Sequence, residues 1–191
     1  MNYKSIGLIP LIIAFSTLPA SAQDTKPYTQ LFTLDGVTFD VSATNSGSQN
    51  KLTVAVRGLK HEIAPIVRDI DGTVTGAEIA DLDRNQSPEI YVYVTSAGSG
   101  NYGSLVAYSA NNRKSLTDIH LPDINDDKKL SAGYMGHDEF SVIESVLARR
   151  FPVYKPGDTN SKPTGGIRQV AYKLVPGEAG WVLKVKRVDN F

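Results

Sequence analysis

The chain contains no cysteine. That excludes disulfides, thiol chemistry and any thiolate metal site, so in an oxidising compartment the hydrophobic core must supply the stability. It also excludes a lipid anchor on an N-terminal cysteine. No apolar run is long enough to span a bilayer as a helix. No excess of one charge is present either, with 20 basic and 20 acidic residues. A balanced charge argues against nucleic acid or an anionic membrane surface as partner. Neither an internal repeat nor a linker interrupts the chain.

What is there begins with an address. Lys4 precedes a short apolar run from Ile6 to Leu18, and Ala20-Ser21-Ala22 forms a small-x-small cleavage site. This is the pattern of a secretory signal peptide over residues 1–22. Its removal takes away only Lys4 among the charged residues, leaving a near-neutral chain from Gln23 to Phe191 in the periplasm. That length suits one domain with a sizeable core.

The remaining pattern reads mainly as β-strands. Leu31–Leu34 and Val37–Val41 flank Asp35-Gly36, a hairpin signature. Leu52, Val54 and Val56 alternate with Thr53, Ala55 and Arg57, as in a half-buried strand. Ile90–Val94 and Leu105–Tyr108 form a second candidate hairpin, and Gln169–Val175 faces Trp181–Val185 across Pro176–Ala179. The expected fold is an antiparallel β-sandwich or barrel-like sheet pair, with room for one short helix. The segment His137–Phe151 is open between two readings. Apolar residues at 140, 143, 147 and 151 fit a helix, whereas a break at Glu144-Ser145 gives two strands.

Three stretches invite a chemical reading. Gly98-Ser99-Gly100-Asn101-Tyr102-Gly103 fits the G-x-G-x-x-G of dinucleotide sites, but that motif needs a helix after it to hold the pyrophosphate. Here the strand-like Ser104–Ser109 follows, so no cofactor is expected. The residue two before Ser99 is Ala97, which rules out the nucleophile elbow. His61, His120 and His137 lack metal-ligand spacing and read as isolated side chains. Asp81-Leu82-Asp83-Arg84-Asn85-Gln86-Ser87-Pro88-Glu89 places oxygens at alternate positions, as calcium loops do. Yet Gln86 stands where such loops have glycine and Val92 where they have glutamate. The stretch therefore reads as a polar turn, and no metal is expected. A calcium- or glycan-binding module built on Asp81–Glu89 is the alternative function, and a hydrolase with a site assembled in space ranks below it.

The glycine-rich stretch has a second reading. Gly98, Gly100 and Gly103 permit tight turns, so Ser99-Gly100-Asn101-Tyr102 can project between two strands. A serine hydroxyl and a tyrosine phenol both donate hydrogen bonds, which suits a cleft floored by carboxylates. An ordinary polar hairpin loop would look the same.

In this S-G-x-Y motif after a strand, on an exported cysteine-free chain, the sequence resembles the bacterial periplasmic inhibitors of I-type (invertebrate) lysozymes. The likeness extends to Asp81-Leu82-Asp83 before Pro88-Glu89-Ile90. It also takes in Phe151-Pro152-Val153-Tyr154 through Thr164-Gly165-Gly166. The resemblance implies an inhibitor rather than an enzyme. Its Ser99-Gly100-Asn101-Tyr102 loop would enter the lysozyme active-site cleft, with Ser99 and Tyr102 as the carried-over residues. An I-type lysozyme is the implied partner and a G-type enzyme the next. The implied role is protection of the cell wall from host defence.

Overall fold

A computed structural model describes residues 26–191, so the signal-peptide segment lies outside the described residues. About 57% of the described residues are strand, arranged in two sheets. The mainly β expectation is met. The first sheet contains β1 (Tyr28–Leu34), β2 (Val37–Ala43), β3 (Gln49–Arg57) and β4 (Ile66–Asp71), in that spatial order. Asp35 and Gly36 join β1 to β2 with φ of 49° and 76°, the two left-handed residues of a type I′ turn.

The second sheet comprises β5 (Thr73–Ala80), β6 (Glu89–Thr95), β7 (Gly103–Asn111), β8 (Ser115–His120), β9 (Glu139–Ile143), β10 (Val146–Pro152), β11 (Ile167–Pro176) and β12 (Trp181–Asn190). Its spatial order is β5-β6-β7-β8-β12-β11-β10-β9. The sheet curls until its two edges meet, and the Glu78 carboxylate on β5 accepts from the Val142 amide on β9. This gives the barrel-like form. One pairing departs from the antiparallel expectation: β12 meets β8 in parallel over Trp181–Val182. The direction of β12 is already dictated by its hairpin with β11, so the curl brings it to β8 pointing the same way.

Strand β6 explains the layering. Its run Glu89–Val94 is buried throughout, as a strand covered on both faces must be. Ile90, Val92 and Val94 point into a core shared with Phe39, Val41, Leu52 and Val54 of the first sheet. Tyr91 and Tyr93 point the other way, into a core inside the curled sheet with Leu147, Phe151, Tyr172 and Leu183.

The ambiguous segment resolves as two strands, β9 and β10, turning at Glu144-Ser145 with Glu144 at φ 52°. Val142, Ile143 and Val146 favour the pleated conformation, and pairing on both sides of β10 outweighs the helical spacing. The helical element among the described residues lies elsewhere. It is a short 3₁₀ turn at Ile124–Asp126, capped by the Asp123 carboxylate, which accepts from the Asn125 amide at 2.8 Å.

Candidate functional site

The glycine-rich stretch connects β6 to β7, and Thr95 pairs with Gly103 at its base. Strand β7 follows the glycines directly. The loop is closed by two reciprocal bonds: the Ser96 amide donates to the Tyr102 carbonyl at 2.9 Å, and the Tyr102 amide donates to the Ser96 hydroxyl at 3.0 Å. A turn at its tip, in which the Asn101 amide donates to the Gly98 carbonyl at 3.3 Å, has left-handed residues at Gly98 (φ 114°) and Asn101 (φ 42°).

Ser99, Asn101 and Tyr102 are exposed, whereas Gly100 between them is half-buried. Tyr102 leaves 49% of its surface accessible, a large fraction for an aromatic side chain. The inner edge of its ring lies against Gly100, where a Cβ would sit 2.4 Å from Tyr102 Cε2. The loop is a ridge with grooves on both flanks. One, of about 720 Å³, runs along Thr73, Thr95, Ser96 and Asn101; the other, of about 400 Å³, runs along Tyr102, Leu105 and His120.

Two other segments brace the ridge from below. The segment from Gly133 to Asp138 enters β9, and its His137 amide donates to the Gly100 carbonyl at 2.7 Å. The connection between β10 and β11 supplies Asn160, whose amide nitrogen donates to the Ser99 carbonyl at 2.5 Å. His137 Nε2 lies 3.1 Å from Asn160 Oδ1, which makes the ring nitrogen the donor, and the His137 ring stacks on Tyr154. Both backbone carbonyls flanking Ser99 and Gly100 are thus held from outside the loop.

Beneath these contacts lies a buried ion pair. Arg149 Nε on β10 donates to Asp138 Oδ1 at 2.7 Å, with side-chain exposures of 5% and 0%. Asp138 Oδ2 accepts from the Gly103 amide at 2.7 Å and from the Tyr134 hydroxyl at 2.6 Å. The Tyr134 oxygen in turn accepts from Arg149 Nη2 at 2.8 Å. Arg149 is also sandwiched by the Tyr134, Phe140 and Phe151 rings, at 5.1, 5.5 and 6.0 Å. Burial opposes the arginine's charge, but its bonds to Asp138 more than offset this and hold its pKa above the ordinary value. Burial raises the Tyr134 phenol, with the Asp138 hydrogen bond acting in the same direction. The edge of Tyr134 then meets the Tyr102 ring, at 5.7 Å between centroids. A chain of packed groups therefore runs from the core to the exposed tyrosine.

This chain went unseen in the sequence. Tyr134, His137, Asp138 and Arg149 carry no motif of their own, although Gly133 and Gly136 around Tyr134 signal a tight turn. His61 and His120 are exposed, and His120 lines the groove beside Tyr102. Of the calcium-like stretch, Asp81, Asp83 and Glu89 come together at the other end of β6.

Residues 38–132, which include the whole loop, match the family model of the periplasmic lysozyme inhibitor of I-type lysozyme. Over that span the chain belongs to this family. A comparison with curated proteins found no match. The family is one of periplasmic inhibitors directed at I-type lysozyme, and its model covers both ends of β6. Tyr134, Asp138, Arg149 and Asn160 lie beyond the matched residues.

Proposed function

We propose that this protein blocks an I-type lysozyme by inserting the Ser99-Gly100-Asn101-Tyr102 loop into the enzyme's active-site cleft, so protecting the cell wall. Family membership supplies the target class. The observation that carries the mechanism is the exposure of Ser99 and Tyr102 on a ridge whose intervening Gly100 is tied down. Lysozyme-type glycosidases act with a pair of carboxyl groups across the scissile bond. A hydroxyl and a phenol on a narrow ridge donate to such carboxylates while filling the substrate's place, with no catalysis by the inhibitor.

Each hydrogen bond to a charged group contributes about 1.5–3 kcal/mol, so two of them do not make a tight complex. A surface of about 800 Å² around the ridge supplies the remainder. Bracing lowers the entropy lost on binding, because the loop is already ordered. In this reading residues 1–22 are removed on export, and residues 23–191 act as one periplasmic domain.

The test is a cell-wall lysis assay in which the purified mature protein is mixed with I-, G- and C-type lysozymes. Suppression of the I-type enzyme near equimolar inhibitor is the expected result. Suppression of the G-type enzyme alone would move the target, and full activity of all three in excess inhibitor would refute the function.

A further inference from the structure

The alternate oxygen-bearing residues Asp81, Asp83, Asn85, Ser87 and Glu89 form the connection between β5 and β6 and the first residue of β6. Two departures argued against a calcium loop in the sequence, and the backbone bears on both. Gln86 adopts φ 63° and Arg84 φ 60°, so the chain makes left-handed turns here without the glycine that usually allows them. Position twelve falls on Val92, well inside β6, where it belongs to the core. The acid nearest the loop is instead Glu89, at position nine.

One carboxylate oxygen each from Asp81, Asp83 and Glu89 lies within 4.8 Å of the others. Calcium–oxygen bonds of about 2.3–2.6 Å allow two ligands of one ion to stand up to about 5 Å apart, so the three can share a cation.

Glu89 is the residue that points to a ligand. It has 0% exposure. Its Oε2 accepts from the Leu82 amide at 2.9 Å and lies 3.4 Å from the Tyr91 hydroxyl. Its Oε1 is buried and has no hydrogen-bond partner. A buried carboxylate with an empty oxygen is costly, and two neighbouring carboxylates raise the cost. Among the described residues no ion pair involves Asp81, Asp83 or Glu89. Only a proton or a cation is left to neutralise Glu89. Asp81 accepts from the Asn85 and Gln86 amides and Asp83 from Asn85, so both aspartates are held as acceptors facing Glu89. A proton would serve Glu89 alone, whereas a divalent ion serves all three.

We propose that Asp81, Asp83 and Glu89 form a calcium site at the start of β6. An oxygen-only, triply acidic set suits a hard cation. The site is separate from the inhibitory ridge at the far end of the strand, and its test does not depend on lysozyme.

The experiment is calorimetric titration of chelator-treated protein with calcium chloride, with magnesium chloride as a second arm, beside thermal melts in calcium and in EDTA. We expect one-to-one calcium binding and a Tm raised by about 5–10 °C at a hundredfold excess over Kd. Both effects should vanish in Glu89→Gln. Asp83→Asn sits on the half-exposed turn and keeps the variant test valid if Glu89→Gln does not fold. The proposal is overturned by a folded parent that gives no binding heat and melts identically in calcium and EDTA, which would assign Glu89 a proton. Undiminished binding by Asp83→Asn would overturn the site, and an equal response to magnesium would overturn the choice of ion.

Discussion

Gly136 packs against Gly100 so closely that a Cβ on Gly136 would lie 2.0 Å from the Gly100 carbonyl oxygen. The backbone of one segment thereby sets the height of the exposed ridge on another. Gly136 also has φ +89°, a conformation that side chains rarely adopt. Gly136→Ala should therefore cost about 1–3 kcal/mol of stability and displace Gly100. Urea unfolding measures the first effect, and the lysis assay measures the second. A variant that folds but inhibits poorly is the expected outcome; full inhibition would show that the height of the ridge is immaterial.

The Asp138–Arg149 pair should dominate the stability of this end of the molecule. Removing one partner leaves a buried charge, so Arg149→Met should destabilise by about 3–5 kcal/mol in chemical denaturation. Tyr134→Phe keeps the ring beneath Tyr102 but removes the hydroxyl between Arg149 and Asp138, at a cost of about 1–3 kcal/mol. Losses below about 1 kcal/mol in both would contradict a structural role for the network.

Glu89 gives a pH dependence of stated sign. Burial first, then the nearby Asp83 and Asp81 charges, push its pKa up to about 8, from an ordinary 4.5. The Leu82 amide and Tyr91 hydroxyl oppose the shift. Below pH 4.5 the carboxyl is protonated folded and unfolded, and its contribution is at its most favourable. Between 4.5 and about 8 the folded form holds a proton that the unfolded form has released, so stability is lost as pH rises through that window. In calcium-free buffer, denaturation midpoints should fall across this range, and Glu89→Gln should flatten the slope. An unchanged slope in the variant would assign the dependence to another group.

Much of the fold was legible because it is local. The Asp35-Gly36 turn, the run Ile90–Val94 and the hairpin across Pro176–Ala179 each carry their signal within fewer than about twenty consecutive residues. β4 and β5 were missed because their burial does not alternate cleanly along the strand. The tip of the site, Ser99 to Tyr102, was visible as a motif. Its support was not, since the contacts of Ser99 with Asn160 and Gly103 with Asp138 span 61 and 35 residues. For the acidic stretch, side-chain spacing was legible, but the left-handed backbone at Gln86 and the buried orphan oxygen of Glu89 are properties of the folded chain alone.

The central claim is that the ridge is a plug, and inhibition of an I-type lysozyme by Tyr102→Ala tests it most directly. Truncating an aromatic at the centre of an interface typically costs about 2 kcal/mol or more, so the inhibition constant should rise by roughly thirtyfold or more. Ser99→Ala should lose about 1.5–3 kcal/mol, as for a hydrogen bond to a charged group, and Tyr102→Phe should fall between parent and Tyr102→Ala. Ser99 is exposed and Tyr102 is half-covered by Tyr134 and Gly100, so all three variants should fold cooperatively, with Tyr102→Ala melting only slightly below the parent, and thermal melts separate binding from folding. A folded Tyr102→Ala protein that inhibits as strongly as the parent would contradict the account.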